Sequence, residues 1–122
     1  MTRIQKINLS EKFSLFHDIY VPKIVGELNG QLVKIVKIEG SYVWHDHENE
    51  DELFLVVKGR MRIEFRDQDV ELEEGELLIV PRGVEHRPVA ESECWIMLFE
   101  PKSTVNTGRV KHAYTRTELE TI

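Results

Sequence analysis

Polar and apolar residues alternate along much of the chain with the two-residue period of half-buried β-strands. The pattern is clearest where Met61, Ile63 and Phe65 alternate with arginine and glutamate. Further strands are predicted over residues 23–28, 31–39, 42–47, 52–58, 70–72, 77–80, 85–89 and 94–100. Turn signals such as Asn29-Gly30 and Pro81-Arg82-Gly83 recur about every ten residues, which predicts an all-β sandwich or barrel.

A different pattern precedes the strands. Asn8 can cap a short helix over residues 8–16, with Glu11 in capping-box position and apolar residues on one face. A turn that packs the same apolar side chains on the barrel is the equal alternative. Residues 94–99 are apolar on both strand faces, so we expect that strand to be covered on both sides.

The last part of the chain is polar and follows Pro101. Thr115 and Glu118 could form a capping box for a final helical turn, and a frayed tail is the alternative. We therefore expect one domain over residues 1–122, with a barrel core at about 23–100 and a tail at 101–122.

Charge and composition exclude several partners. The net charge of −6 disfavours a nucleic acid, whose phosphates attract basic surfaces. Cys94 is the single cysteine, so neither an intrachain disulfide nor a cysteine-based zinc site can form. No apolar run approaches the length of a membrane span, and residues 1–13 do not resemble a signal peptide. A cytoplasmic location without a membrane partner is expected.

Three histidines and one glutamate suggest a metal site. His45 and His47 are two apart on a predicted strand, so both imidazoles point the same way, and Glu52 and His86 follow later. These ligands suit one divalent Fe, Mn, Ni, Cu or Zn ion, which the sequence does not distinguish. The alternative is three structural histidines and a surface acid. It leaves inward polar groups unsatisfied at about 1–3 kcal/mol each.

Two sets of residues resemble the sequence motifs of the cupin family. The first motif, a glycine, a His-x-His pair, a glutamate and a glycine, is matched by Gly40, His45, His47, Glu52 and Gly59. The second, Gly-x5-Pro-x-Gly-x2-His, is matched by Gly75, Pro81, Gly83 and His86. Gly40 precedes the first histidine by one residue fewer than usual, and Ala90 replaces an asparagine that is not a metal ligand in the family. The spacing to Gly59 selects Glu52, rather than Asp51, as the acidic ligand.

The resemblance implies a double-stranded β-helix, or jelly roll, with a metal ion inside one end. The chain looks closest to small single-domain cupins of the mannose-6-phosphate isomerase-like group. Strand alternation predicts that Tyr42 and Trp44 face outward. The residues expected to line an apolar pocket around the metal are Val43, Met61, Ile63 and Phe65.

The leading functional hypothesis is a metalloenzyme acting on a small polar substrate. That substrate is a sugar or sugar phosphate for isomerase-like chemistry, or an oxygen-dependent substrate for dioxygenase-like chemistry. Arg82 and Arg87 flank His86 and could steer an anion, or they are solvated arginines. The alternatives are a non-enzymatic module that binds or senses a small ligand, and a metal-free barrel that mediates assembly. A homodimer is expected, since one small barrel has too few layers to cover residues 94–99 and the outward aromatics.

Overall fold

The computed structural model describes residues 3–122 and shows an all-β jelly-roll barrel with one short helix. The elements are α1 (Leu9–Phe13), β1 (Lys23–Leu28), β2 (Gln31–Ser41), β3 (Glu52–Lys58), β4 (Arg60–Phe65), β5 (Asp69–Glu73), β6 (Leu77–Val80) and β7 (His86–Pro101). All pairs between these strands are antiparallel. Within these residues, no helix is both long and apolar enough to cross a membrane.

Strand β7 joins the two layers of the barrel. Its second half lies between β2 and β3 in the order β1-β2-β7-β3-β6, whereas its first half pairs with β4, which pairs with β5. The predicted strands 85–89 and 94–100 are therefore one strand. Between the pairs Gly40–Ala90 and Ile38–Cys94, β7 has more residues than β2, so it bulges and bends there without ending.

The interior between the layers is apolar. Cys94, Ile96 and Leu98 point inward from β7 and pack with Met61 and Ile63 of β4. All five side chains are buried. Cys94 thus behaves as a small core residue, and the alternation of β4 predicted its inward face correctly.

Helix α1 covers part of the outer face of the barrel. Asn8 Oδ1 accepts a hydrogen bond from the Glu11 backbone N–H at 3.0 Å, which confirms the predicted helix start. Phe13 is completely buried, and its ring stacks on Trp95 of β7 at a centroid distance of 4.8 Å. The outward side of β7 at Trp95 is therefore covered by the same chain.

The tail is neither helical nor frayed. The Thr115 hydroxyl accepts from the His112 backbone N–H at 2.9 Å and lies 2.6 Å from the Thr107 hydroxyl, so it stabilises a turn and does not begin a helix. Thr107 is fully buried. The Ile122 N–H donates to the Ile24 carbonyl at 3.0 Å, which ties the end of the chain to β1.

Candidate metal centre

The connection between β2 and β3 carries two of the candidate ligands. It is largely irregular, and the predicted strand over residues 42–47 is reduced to a single bridge between His45 and His86. The His45 N–H donates to the His86 carbonyl at 3.1 Å, and the His86 N–H donates to the His45 carbonyl at 2.9 Å. This bridge fixes the connection to the first residue of β7.

The four predicted ligands meet at one point. Each of the four side chains offers one ligand atom, and all these atoms lie within 4.8 Å of one another. Glu52 Oε1 lies 3.3 Å from the Nε2 atoms of both His47 and His86. All four residues are at most 4% exposed. Such a group of nitrogen and carboxylate ligands could hold one transition-metal ion.

Hydrogen bonds orient two of the imidazoles. His45 Nδ1–H donates to the Val43 carbonyl at 2.9 Å, and His86 Nδ1–H donates to the Val84 carbonyl at 2.8 Å. The lone pair is therefore on Nε2 in both rings, as in metal-binding histidines whose other nitrogen is held by a carbonyl.

His47 supplies the test of fit. Both of its ring nitrogens are buried, and neither makes a hydrogen bond. Its Nε2 is close to Glu52, but the geometry is not that of a hydrogen bond. A structural histidine in a core has its polar atoms satisfied, because each unpaired one costs about 1–3 kcal/mol. A metal ion would remove this cost, so the residues fit a metal ligand set better than a structural cluster.

The protonation states also suit a metal. Burial, followed by the nearby His86, lowers the pKa of His45 to about 4, so its imidazole is neutral at neutral pH. Burial alone would raise the pKa of Glu52, but the adjacent Glu100, His47 and His86 side chains hold it well below its usual range. Neutral imidazoles and an ionised carboxylate are the forms that bind metals.

The neighbouring acid has another role. Asp51 is exposed, and its Oδ1 accepts from the Arg82 backbone N–H at 2.8 Å, which ties the acidic turn to the turn before β7. The structure thus brings Glu52, and not Asp51, into the group.

A second buried carboxyl group lies against Glu52, and the sequence analysis missed it. Glu100 Oε1 accepts from Lys34 Nζ at 2.7 Å, and both residues are 1% exposed. Glu100 Oε2 receives no hydrogen bond. Burial and the charge of Glu52 raise the pKa of Glu100 well above its usual range, and in the protonated form it can donate to Glu52. The missed signal was an acid at an inward position of β7, two residues after Leu98.

A cavity adjoins the four residues. It is open to solvent, its empty space including that open part is about 390 Å³, and it reaches His45 and Glu52. Its other walls are Tyr20, Pro22, Val36, Ile38, Tyr42, Phe54, Pro88, Ile96, Leu98 and Asn106. Half of them come from β2, β3 and the second half of β7, and Asn106 is supplied by the tail.

The four predicted lining residues lie elsewhere. Met61 and Ile63 face inward but pack in the core. The Phe65 ring lies 6.4 Å from that of His86 and borders a separate surface depression. Val43 contributes its carbonyl to His45. The difference arises because the cavity opens beside the other layer of the barrel, which alternation along β4 cannot reveal.

Tyr42 faces the cavity, whereas the sequence predicted that it faces outward. Its ring stacks on Tyr20 at 4.6 Å and on Tyr114 at 5.4 Å, and the His45 ring meets it edge-on at 5.4 Å. Strand alternation fails here because the connection is not a regular strand. Trp44 is half-buried beneath the guanidinium of Arg66.

The arginines beside His86 do not reach into the cavity. Arg87 donates to Glu64 Oε1 from Nε at 2.9 Å and from Nη2 at 2.6 Å. The Arg82 side chain is exposed. The structure therefore favours the interpretation of both as surface arginines.

Known proteins share this sequence and fold. A family model described as a cupin domain matches residues 32–99. A cupin-2 domain containing protein from Shewanella frigidimarina is 47% identical, covers 79% of this chain and 94% of its own, and superposes with a TM-score of 0.78. A protein from Neisseria meningitidis is 32% identical, with coverages of 80% and 100% and a TM-score of 0.74.

A curated relative matches a shorter region. The Bacillus subtilis protein YdbB, described as uncharacterized, is 36% identical over 64 residues, which cover 52% of this chain and 57% of YdbB. The match thus spans little more than half of that relative. The narrower grouping with mannose-6-phosphate isomerase-like proteins stays a prediction. The cupin-domain match, by contrast, covers more than half of the chain and includes all four clustered residues. The chain therefore belongs to the cupin family.

Proposed function

We propose that this protein is a metalloenzyme that binds one divalent transition-metal ion through His45, His47, Glu52 and His86 and acts on a small molecule in the adjoining cavity. The observation that supports the proposal is the convergence of four buried ligand atoms within 4.8 Å at the wall of that cavity. A site for structural metal alone would not need an adjoining cavity for a ligand.

The residues around the site have separable roles. A bound ion would supply a Lewis acid for a carbonyl or enediol oxygen, or a centre for reactions with dioxygen. The Val43 and Val84 carbonyls hold two imidazoles in the metal-binding tautomer. Burial raises the pKa of Tyr20 and of Tyr42 above the usual range, so their hydroxyls stay protonated and can donate hydrogen bonds but not act as bases at neutral pH.

The sequence predicts two substrate classes: sugars or sugar phosphates, and oxygen-dependent substrates. The cavity disfavours the sugar phosphates. Within the described part of the chain, no lysine or arginine lines this cavity. A sugar phosphate would need a cation for its phosphate group away from the metal. The lining therefore favours lyase, isomerase or dioxygenase chemistry on a substrate that carries no phosphate.

Metal analysis is the first test. Protein purified without chelator is expected to carry about one transition-metal ion per chain, and His47→Ala is expected to lose it. His17→Ala is the matched control, since His17 is exposed and lies outside the group. Full metal content in the His47→Ala protein would overturn the assignment.

A second experiment separates the enzyme from a binding module. The metal-loaded protein is screened for turnover of sugars, sugar phosphates and oxygen-dependent aromatic and aliphatic substrates. Turnover that disappears in His86→Ala supports the enzyme. If a substrate-like compound binds to the metal-loaded protein under air but is not turned over, the protein is a non-enzymatic binding module.

We further propose that the protein forms a homodimer through β6. This strand pairs only with β3 among the described strands, and its Leu77 and Ile79 are 54% and 55% exposed. Leu55 and Leu53 lie opposite them on β3 and extend the apolar surface. Two copies can bury this face symmetrically by pairing their edge strands.

Light scattering tests the dimer. The expected mass is twice the 14.3 kDa of the chain at micromolar concentration, and Leu77→Lys should shift the protein to the monomer. A monomeric wild-type protein would contradict the proposal.

A further inference from the structure

The cavity beside the metal group presents mostly carbon to a ligand. Its floor is formed by Val36 and Ile38 of β2, Phe54 of β3, and Ile96 and Leu98 of β7. These side chains carry no polar atom. A ligand that extends from His45 and Glu52 into the cavity must therefore bury its body against apolar surface, which favours an apolar body.

Two of the polar groups in the other walls are already satisfied by the chain. The Tyr20 hydroxyl donates to the Gly40 carbonyl at 2.7 Å. Asn106 Nδ2 donates to the Tyr114 carbonyl at 2.7 Å, and Asn106 Oδ1 accepts from the Arg116 N–H at 2.9 Å. These side chains are bonded within the chain and leave few hydrogen bonds for a polyhydroxylated ligand.

Positive charge is absent from the cavity walls within residues 3–122. Nearby cations are already paired: Lys34 bonds Glu100, and Arg87 bonds Glu64. Arg116 is close enough to Tyr42 for its charge to lower the pKa of that tyrosine. Its guanidinium donates to the carbonyls of Ala113 and Thr115. An anionic group in the cavity, away from the proposed metal ion, would be buried without a partner, which is strongly unfavourable.

One wall of the cavity is aromatic. The rings of Tyr42 and Tyr114 are stacked at 5.4 Å with 14° between their planes, and Tyr20 stacks on Tyr42 at 4.6 Å. Of these, Tyr20 and Tyr42 border the cavity, and Tyr42 also contacts His45 edge-on. Aromatic surfaces bind planar rings with about 0.5–1.5 kcal/mol beyond the burial of area.

We infer that the ligand of this cavity is a small uncharged molecule with a planar apolar body and one hydroxyl or carbonyl oxygen, which faces His45 and Glu52. The direction of the oxygen rests on the proposed metal site, whereas the apolar, uncharged body rests on the cavity walls alone. The same walls disfavour a phosphate group on that body, away from the metal group.

Three probes test the ligand class on the full chain. Benzyl alcohol has a ring and one hydroxyl, benzyl phosphate has the same ring with a dianion, and glucose 6-phosphate has the dianion without the ring. Binding to chelator-treated protein, in which no metal ion can pair with a phosphate, is measured by ligand-observed NMR. Benzyl alcohol is expected to bind at least about tenfold more tightly than either phosphate, since even part of the cost of burying an unpaired charge exceeds 1.4 kcal/mol. Equal or tighter binding of either phosphate would overturn the inference.

Two variants locate the binding. Tyr42→Ala removes the aromatic wall and is expected to weaken benzyl alcohol binding about 2- to 10-fold, the range expected for an aromatic pair. Tyr42→Phe keeps the ring and should restore most of the binding. Equal losses in the two variants would show that the hydroxyl, and not the aromatic surface, holds the ligand. The comparison of the three probes does not depend on these variants and tests the ligand class even if Tyr42→Ala fails to fold.

The same samples separate this inference from the proposed function. Metal content is measured on the protein as purified, and the probe series is repeated on zinc-loaded protein. If the protein as purified contains metal but the chelator-treated protein prefers a phosphate, only the ligand class is wrong. If the protein binds no metal but still prefers benzyl alcohol over benzyl phosphate, only the metal assignment is wrong.

Discussion

Two groups of charged and polar side chains, one inside the barrel and one on the outer side of β4, are satisfied in opposite ways. On the outside, Glu64 accepts from Arg62 at 2.8 Å and from Arg87 at 2.6 Å, and Arg62 also donates to Glu91. Inside, the His47 ring nitrogens have no hydrogen-bond partner. The outer network is complete within the chain, whereas the inner group leaves buried ring nitrogens that a bound metal ion could satisfy.

Burial is the reason that this difference matters. Water can hydrate a half-exposed arginine, and most exposed ion pairs therefore contribute little to stability. Lys34 and Glu100, by contrast, are each 1% exposed and depend on each other. Breaking an interaction should consequently change metal affinity or the free energy of unfolding strongly inside the barrel and weakly on its outer face.

The largest effect is expected at the acidic ligand. Glu52→Gln removes the carboxylate that lies 3.3 Å from two imidazoles, and metal affinity should fall by more than about 100-fold, since partners of metal ligands alone account for 10–100-fold. Asp51→Asn is the matched control one residue away, because Asp51 is exposed and accepts from a backbone N–H. Affinity is measured by competition with a chelator. A larger loss in Asp51→Asn would mean that the wrong carboxylate is assigned.

The second effect concerns the buried ion pair. Lys34→Met leaves Glu100 without its donor, and the free energy of unfolding should fall by about 3 kcal/mol or more at pH 8, the cost of breaking a buried pair. Lys102→Met is the control, since Lys102 forms an exposed pair with Glu27 at 3.5 Å. Urea unfolding of chelator-treated protein measures both variants.

The loss of unfolding free energy in Lys34→Met should depend on pH in a defined direction. Burial already raises the pKa of Glu100 above 4.5, and removal of Lys34, which lowers it, raises it further. A group with a raised pKa in the folded state contributes stability below its unfolded value and loses it as the pH rises toward the folded value. The destabilisation should therefore be smaller at pH 5 than at pH 8. Equal losses at the two pH values would show that the carboxyl group does not titrate in this way.

Most of the fold could be predicted from the sequence, because its signals are local. The bounds of β3 and β6 agree with the apolar runs at residues 52–58 and 77–80 and the turns that flank them, and Asn8 begins the predicted helix. The sequence predicts two strands, 85–89 and 94–100, in place of β7, because the polar residues 91–93 interrupt the apolar pattern. In the structure they form a bulge, which only pairing with β2 can reveal.

The metal group could be predicted from the sequence, whereas much of the cavity could not. The four candidate ligands carry motif spacing, so the sequence identifies them before any coordinates are known. Glu100 and Tyr42 carry none: Glu100 reaches Glu52 from another strand, and Tyr42 turns inward because residues 42–47 do not form a regular strand. Tyr114 and Asn106 come from a tail whose docking depends on contacts with the barrel. Contacts between distant segments leave no periodic signal in the sequence.

The smallest effect is expected on the outer network. Glu64→Gln removes one negative charge, but the amide oxygen can still accept from an arginine, Arg62 keeps Glu91, and Arg87 keeps the face of Trp44 at 5.2 Å. The melting temperature should fall by less than about 4 °C. Calorimetry in 0.05 M and 1 M NaCl should show a smaller difference at high salt, where charges more than about 3 Å apart are screened.

Metal content provides the sharper measurement on the same variant. Arg87 follows His86 directly in the chain, so a network that supported the site would transmit the loss of Glu64 to the imidazole. The His86 ring is instead held by the Val84 carbonyl at 2.8 Å and by the backbone bridge to His45. Neither contact involves Glu64, so Glu64→Gln should retain the wild-type metal content. A loss approaching that of Glu52→Gln would show that the outer network positions His86, and the two groups would then act as one unit.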